Sequence, residues 1–92
     1  MIVRISGEGQ YRLPEEQAAR LNELDNVAVA AVDAGDEQRF AQVWREMLDL
    51  VESQGERVPD DELVGSDCIL PPRDIEFAEA QGEFTGEGLI PD

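Results

Sequence analysis

Apolar residues change their spacing once along the front half of this chain, at Pro14, where a strand pattern gives way to a helical one. Ile2-Val3-Arg4-Ile5 is β-branched apart from one arginine, and Gln10-Tyr11-Arg12-Leu13 alternates polar and apolar positions. Gly7-Glu8-Gly9 lies between them, so the pair reads as a short β-hairpin. A lone two-stranded hairpin is marginal in water and must pack on helices or pair with another chain. From Pro14 the period becomes helical: Leu21, Leu24, Ala28, Ala31 and Val32 draw one apolar stripe, with Glu15 and Glu16 placed favourably at the positive end of the helix dipole. This predicts a helix over about 14–34 with Asp25-Asn26 as its weak point, ended by Gly35. Asp36 is placed as the N-cap of a second helix. Its stripe, Phe40, Val43, Trp44, Met47, Leu48 and Val51, is the clearest in the sequence, and Gly55 is expected to stop it in a left-handed conformation. With only Ala34-Gly35-Asp36 between them, the helices must turn back as an antiparallel αα-hairpin.

Beyond Gly55 the periodicity fades. Val58–Val64 has room for one helical turn, Cys68-Ile69-Leu70 for a short extended piece, and Pro71-Pro72 makes a stiff break. Asp74 is expected to cap a short helix through Ala80 that carries Ile75 and Phe77, before Phe84, a Gly86-Glu87-Gly88 turn and Leu89-Ile90-Pro91-Asp92. The fold class is therefore α+β: a short N-terminal β-hairpin, an antiparallel αα-hairpin and an acidic, mostly irregular C-terminal segment. Residues 1–92 are expected to form a single small domain, with 1–59 as hairpin plus helices and 60–92 as a tail packed on it or on a partner.

Charge sharpens this division. Residues 1–59 hold 12 acids against six arginines, whereas residues 60–92 hold 10 acids against Arg73 alone. Too many apolar residues are dispersed in this last third for it to be a purely solvating tail. The formal net charge is −15, and all seven bases are arginine. Such a balance repels phosphate backbones and anionic headgroups, which disfavours nucleic acid and polybasic membrane docking and allows a basic protein partner. An acid-rich, lysine-free composition also fits a high-salt cytoplasm. The longest apolar run, Val27–Val32, is far too short to cross a bilayer, and the N-terminus lacks a signal-peptide pattern, so a cytoplasmic protein is expected.

The same composition removes most chemistry. Without histidine or lysine, only carboxylates, Cys68 and Tyr11 remain for proton transfer, and no enzyme is expected. The two Gly-Glu-Gly segments lack the glycine spacing and lysine of a phosphate loop and put a carboxylate where phosphate would sit. Asp60-Asp61-Glu62 and Asp33/Asp36 lack the alternating acids of a calcium loop. A single cysteine excludes a disulfide and a cysteine-based zinc site within one chain. No cofactor and no metal are expected. Phe40 and Trp44 belong to the helix stripe and read as core. Tyr11, Phe84, Leu89 and Ile90 are the candidate partner-binding residues, since aromatic and aliphatic anchors ringed by charge suit an interface.

Taken together, Met1-Ile2-Val3-Arg4-Ile5, Gly7-Glu8-Gly9-Gln10-Tyr11-Arg12-Leu13, the Ala34-Gly35-Asp36 junction, Val58-Pro59-Asp60-Asp61-Glu62-Leu63, Ser66-Asp67 with Ile69-Leu70-Pro71-Pro72, and Glu87-Gly88-Leu89-Ile90-Pro91 resemble the PspA-associated family, PspAA, in order and spacing. The resemblance implies a small non-catalytic partner of PspA, a coiled-coil relative of ESCRT-III proteins, in the phage-shock type of envelope-stress response. It implies recruitment to the inner face of the membrane through that partner and no direct membrane insertion. A homodimer or larger assembly is also expected, because a hairpin with open edges can pair across a two-fold axis. A homo-oligomeric scaffold or acidic interaction module without PspA is the alternative.

Overall fold

The computed structural model of the chain describes residues 1–84 and 88–90. Its elements are β1 (Ile2–Ile5), β2 (Gly9–Arg12), α1 (Glu15–Asp33), α2 (Glu37–Gln54), β3 (Glu56–Arg57), β4 (Cys68–Leu70) and α3 (Phe77–Glu83). The expected α+β architecture is present. The hairpin forms where the β-branched run predicts it, with Ile2 opposite Arg12 and Ile5 opposite Gly9. Both long helices fall within a residue of their expected ends, and the buried positions of each are those of its stripe, with Asp25 added on α1.

The turn between the helices is fixed by hydrogen bonds that the sequence specifies. Gly35, at φ +69°, lets its own N–H reach the carbonyl of Val32 at 3.0 Å while the N–H of Asp36 reaches Ala31 at 2.9 Å. This pair of bonds satisfies carbonyls that a helix end otherwise leaves open. Asp36 then caps α2, its Oδ1 accepting from the N–H of Arg39 at 3.1 Å.

Gly55 behaves differently from expectation. Its backbone is extended (φ −90°, ψ 152°), not left-handed. A Cβ there would strike the Val51 carbonyl and come within 3.1 Å of the Tyr11 Cβ, so glycine is required by crowding as α2 runs straight into β3. That strand pairs with β2, Tyr11 opposite Arg57. On the other flank β4 pairs with β1 in parallel, Val3 opposite Cys68 and Ile5 opposite Leu70. The sheet order is β3-β2-β1-β4. Both hairpin strands are therefore internal, so pairing the hairpin itself with a second chain is not available. The edges that remain are two and three residues long, and Pro59 and Pro71 follow each closely, which blunts them against extension.

One face of the sheet packs on the helices through Val3, Ile5, Cys68 and Leu70, while Arg4 and Ile69 point the other way. Residues 58–67 cross this outer side. Gln10 is buried beneath them and donates through Nε2 to the Val64 carbonyl at 3.0 Å and to Ser66 Oγ at 2.8 Å. The expected helical turn over 58–64 is a single hydrogen-bonded turn, Glu62 N–H on the Pro59 carbonyl, with no helix following it. The expected cap at Asp74 is also absent: α3 begins at Phe77, and Asp74 precedes it in a turn. Of the closing turn, Gly86 and Glu87 lie outside the described residues, as do Pro91 and Asp92.

The core is completed by aromatic rings from α2 and from the C-terminal part of the chain. Phe84 is 0% exposed, its ring 5.1 Å from Phe40 and 5.7 Å from Trp44 in edge-to-face contact, with Phe77 5.9 Å from Phe40. Trp44→Ala removes the centre of this cluster and leaves a large void. It should cost about 3–5 kcal/mol in chemical denaturation; an unchanged midpoint would place Trp44 outside the core.

Candidate functional site

A concave surface lies between α2 and the segment leading into α3. It is a groove of about 770 Å³ with Phe40, Trp44 and Leu48 as its floor, Ala41 and Arg45 along one rim, and Ile75, Phe77 and Ala78 along the other. Two contacts set the direction of the second wall. Trp44 Nε1 donates to the Arg73 carbonyl at 3.2 Å, and Phe77 meets Phe40 one turn earlier on α2, so residues 73–77 run antiparallel to α2. Glu37 and Glu76 consequently stand at one end of the groove, and Arg45 and Arg73 at the other. Ile75 and Phe77 are only half-buried.

Arg73, the one base of the last third, is committed to holding that wall. Its guanidinium forms ion pairs with Glu8 at 3.0 Å, in the β1–β2 turn, and with Glu52 near the end of α2. A second hydrogen bond, from Nε to Glu8, makes the first pair bidentate. One side chain therefore joins the hairpin turn, α2 and the groove wall.

The end of the chain is held by Asp25. Its carboxylate is 0% exposed and accepts from the Leu89 N–H at 3.0–3.1 Å and the Ile90 N–H at 3.0 Å. Asp25 follows Leu21 by four residues and precedes Ala28 by three, so it occupies the apolar stripe itself. A polar residue at a stripe position was the available signal, and the helix is continuous through it rather than weakened. Gly88 makes the approach possible: it lies at φ +83°, and a Cβ there would sit 2.6 Å from the carboxylate. Beside this clasp, burial first, then the charges of Asp25 and Asp67, push the Cys68 thiol up to about 12. The thiol stays protonated and unreactive around neutral pH.

The candidate partner-binding residues separate accordingly. Phe84 and Ile90, 0% and 5% exposed, are packed into this chain's own core. Tyr11 and Leu89 remain half-buried, Tyr11 with the Arg57 guanidinium 5.6 Å above its ring. Sequence reading did not single out Ile69 or Leu63, which are 59% and 96% exposed on the outer side of the molecule. Among the described residues no cluster of acids and cysteine gathers as metal ligands. None of the helices among them is long and apolar enough to cross a membrane.

Against known proteins, the family model PspAA, described as PspA-Associated protein, matches residues 1–92. No curated protein and no solved structure is matched.

Two glycine replacements test the Asp25 clasp against each other. Gly88→Ala meets both the left-handed backbone penalty and the buried carboxylate, and should cost about 2 kcal/mol or more. Gly82→Ala, in α3 with open space around it, should instead stabilise by about 0.5–1 kcal/mol from helix propensity. Equal effects of the two in urea denaturation would contradict the docking of residues 88–90.

Proposed function

Because the chain belongs to the PspA-associated protein family over its whole length, we propose that it is a non-enzymatic adaptor that binds a PspA-like coiled-coil protein in the envelope-stress response. The family match is the observation that carries this reading. The net charge of −15 supports it, since an acidic surface suits a basic helical partner and disfavours direct docking on phosphates or anionic lipid. On this reading the chain works on the cytoplasmic side and reaches the membrane only through its partner. Tyr11 and Leu89, the half-buried pair among the expected contacts, contribute to the interface, whereas Phe84 and Ile90 act by supporting the surface from beneath.

Self-association is the second reading, and one observation favours it. Ile69 and Leu63 leave exposed apolar surface on the outer side of the sheet, where Arg4 and Asp61 offer opposite charges to a second copy. A dimer of this kind uses the outer face and not the hairpin edges.

Mixing the purified chain with the PspA-like protein of the same organism tests both readings by light scattering. The expected results are a complex at tens of micromolar and, for the chain alone, a mass above that of the monomer. Raising ionic strength should slow association more than it speeds dissociation, because exposed acids act mainly on encounter. Separate elution of the two proteins at these concentrations would refute the adaptor reading; a monomeric mass for the chain alone would refute self-association.

A further inference from the structure

We propose that the groove along α2 receives an amphipathic helix of the partner, lying with its N-terminal end at Glu37 and Glu76 and its C-terminal end at Arg45. This rests on the adaptor reading and adds the surface, the shape of the occupant and its direction.

The shape argues for a helix. Phe40, Trp44 and Leu48 recur at four-residue intervals along the floor, so the groove follows a natural row of α2 side chains, the geometry into which a second helix sets its own ridge. From Glu37 to Leu48 it runs about 16 Å, close to three helical turns. An extended peptide would bury backbone N–H and C=O groups against a lining that includes no strand, whereas a helix satisfies its own. Short side chains at Ala41 and Ala78, both exposed, leave the rims low enough for close approach.

Charge sets the direction and narrows the occupant. Glu37 and Glu76 favour the positive end of a helix dipole and basic side chains near it, and Arg45 favours the negative end. Arg73 adds little to that end, being committed to Glu8 and Glu52. A second copy of this chain fits poorly. α1 begins with Glu15 and Glu16, α2 is capped by Asp36 and begins with Glu37, and α3 has Glu79 in its first turn. Each would bring acid to the acidic end. The occupant is therefore a partner helix with apolar residues at i, i+3 or i+4 and i+7, basic toward its N-terminus.

Trp44 is the only tryptophan and, 5% exposed beneath the groove, reports through its emission whether each variant keeps the core intact. The test titrates the full chain and its variants with the purified PspA-like protein of the same organism, following Trp44 emission and affinity together. Ala41→Arg, at an exposed position, should leave the melting temperature unchanged and weaken binding at least tenfold. Arg45→Glu should weaken it several-fold with an effect that shrinks in high salt, and Ile69→Ser on the outer sheet face should leave it unchanged. If the wild-type chain binds and Ala41→Arg binds equally well, the groove inference is overturned while the adaptor reading stands. If the wild-type chain does not bind, the adaptor reading fails and takes this inference with it.

Discussion

A carboxylate buried in the middle of a helix is tolerated only when fixed donors replace the water it has lost. Asp25 meets that condition through the backbone N–H groups of Leu89 and Ile90, more than sixty residues away. Losing the tail would take these two donors from a buried carboxylate, and losing the carboxylate would leave two backbone donors unpaired. The bond therefore ties residues 88–90 to the middle of α1. Cys68, Leu70, Ala80, Phe84 and Ile90 join the same hydrophobic cluster as the helix stripes, which matters in a chain of 92 residues, where the core is thin and every buried ring counts.

This closure shapes what the molecule can present to others. With Phe84 and Ile90 turned inward, the tail's contribution to recognition is indirect: Phe84 supports Phe40 and Trp44 from below, and those rings form the groove floor. Arg73 does the same for the groove wall by tying it to the hairpin turn and to α2. A rigid lining lowers the ordering cost of binding, which is where much interaction energy is otherwise lost. The sheet contributes stability and little recognition through its edges, since both are short and closely followed by proline.

How much of this was legible depended on the range of the interaction. The hairpin, both long helices, the Ala34-Gly35-Asp36 turn and the Asp36 cap are set by neighbours within a few residues, and the pattern of the chain declares them. At Gly55 the local sequence is ambiguous, because glycine after a helix stripe fits a left-handed stop as well as a crowded extended path, and only the position of Tyr11 decides between them. The parallel pairing of β4 with β1 spans about sixty-five residues of chain, and no local period encodes it. Asp25 read as a flaw in α1 because its donors lie at the other end of the sequence. Phe84 reads as an interface residue because the acidic composition around it resembles a surface; Phe40 and Trp44, some forty residues away in sequence, enclose its ring.

Native-state hydrogen exchange of the Leu89 and Ile90 amides tests this closure most directly. If both amides donate to the buried Asp25 as part of one core, they should exchange only through global unfolding, with protection equal to that of Val43 and Met47 in the centre of α2. Exchange near the rate of an unstructured peptide, with α2 still protected, would show that the tail is not part of the core and would contradict the account.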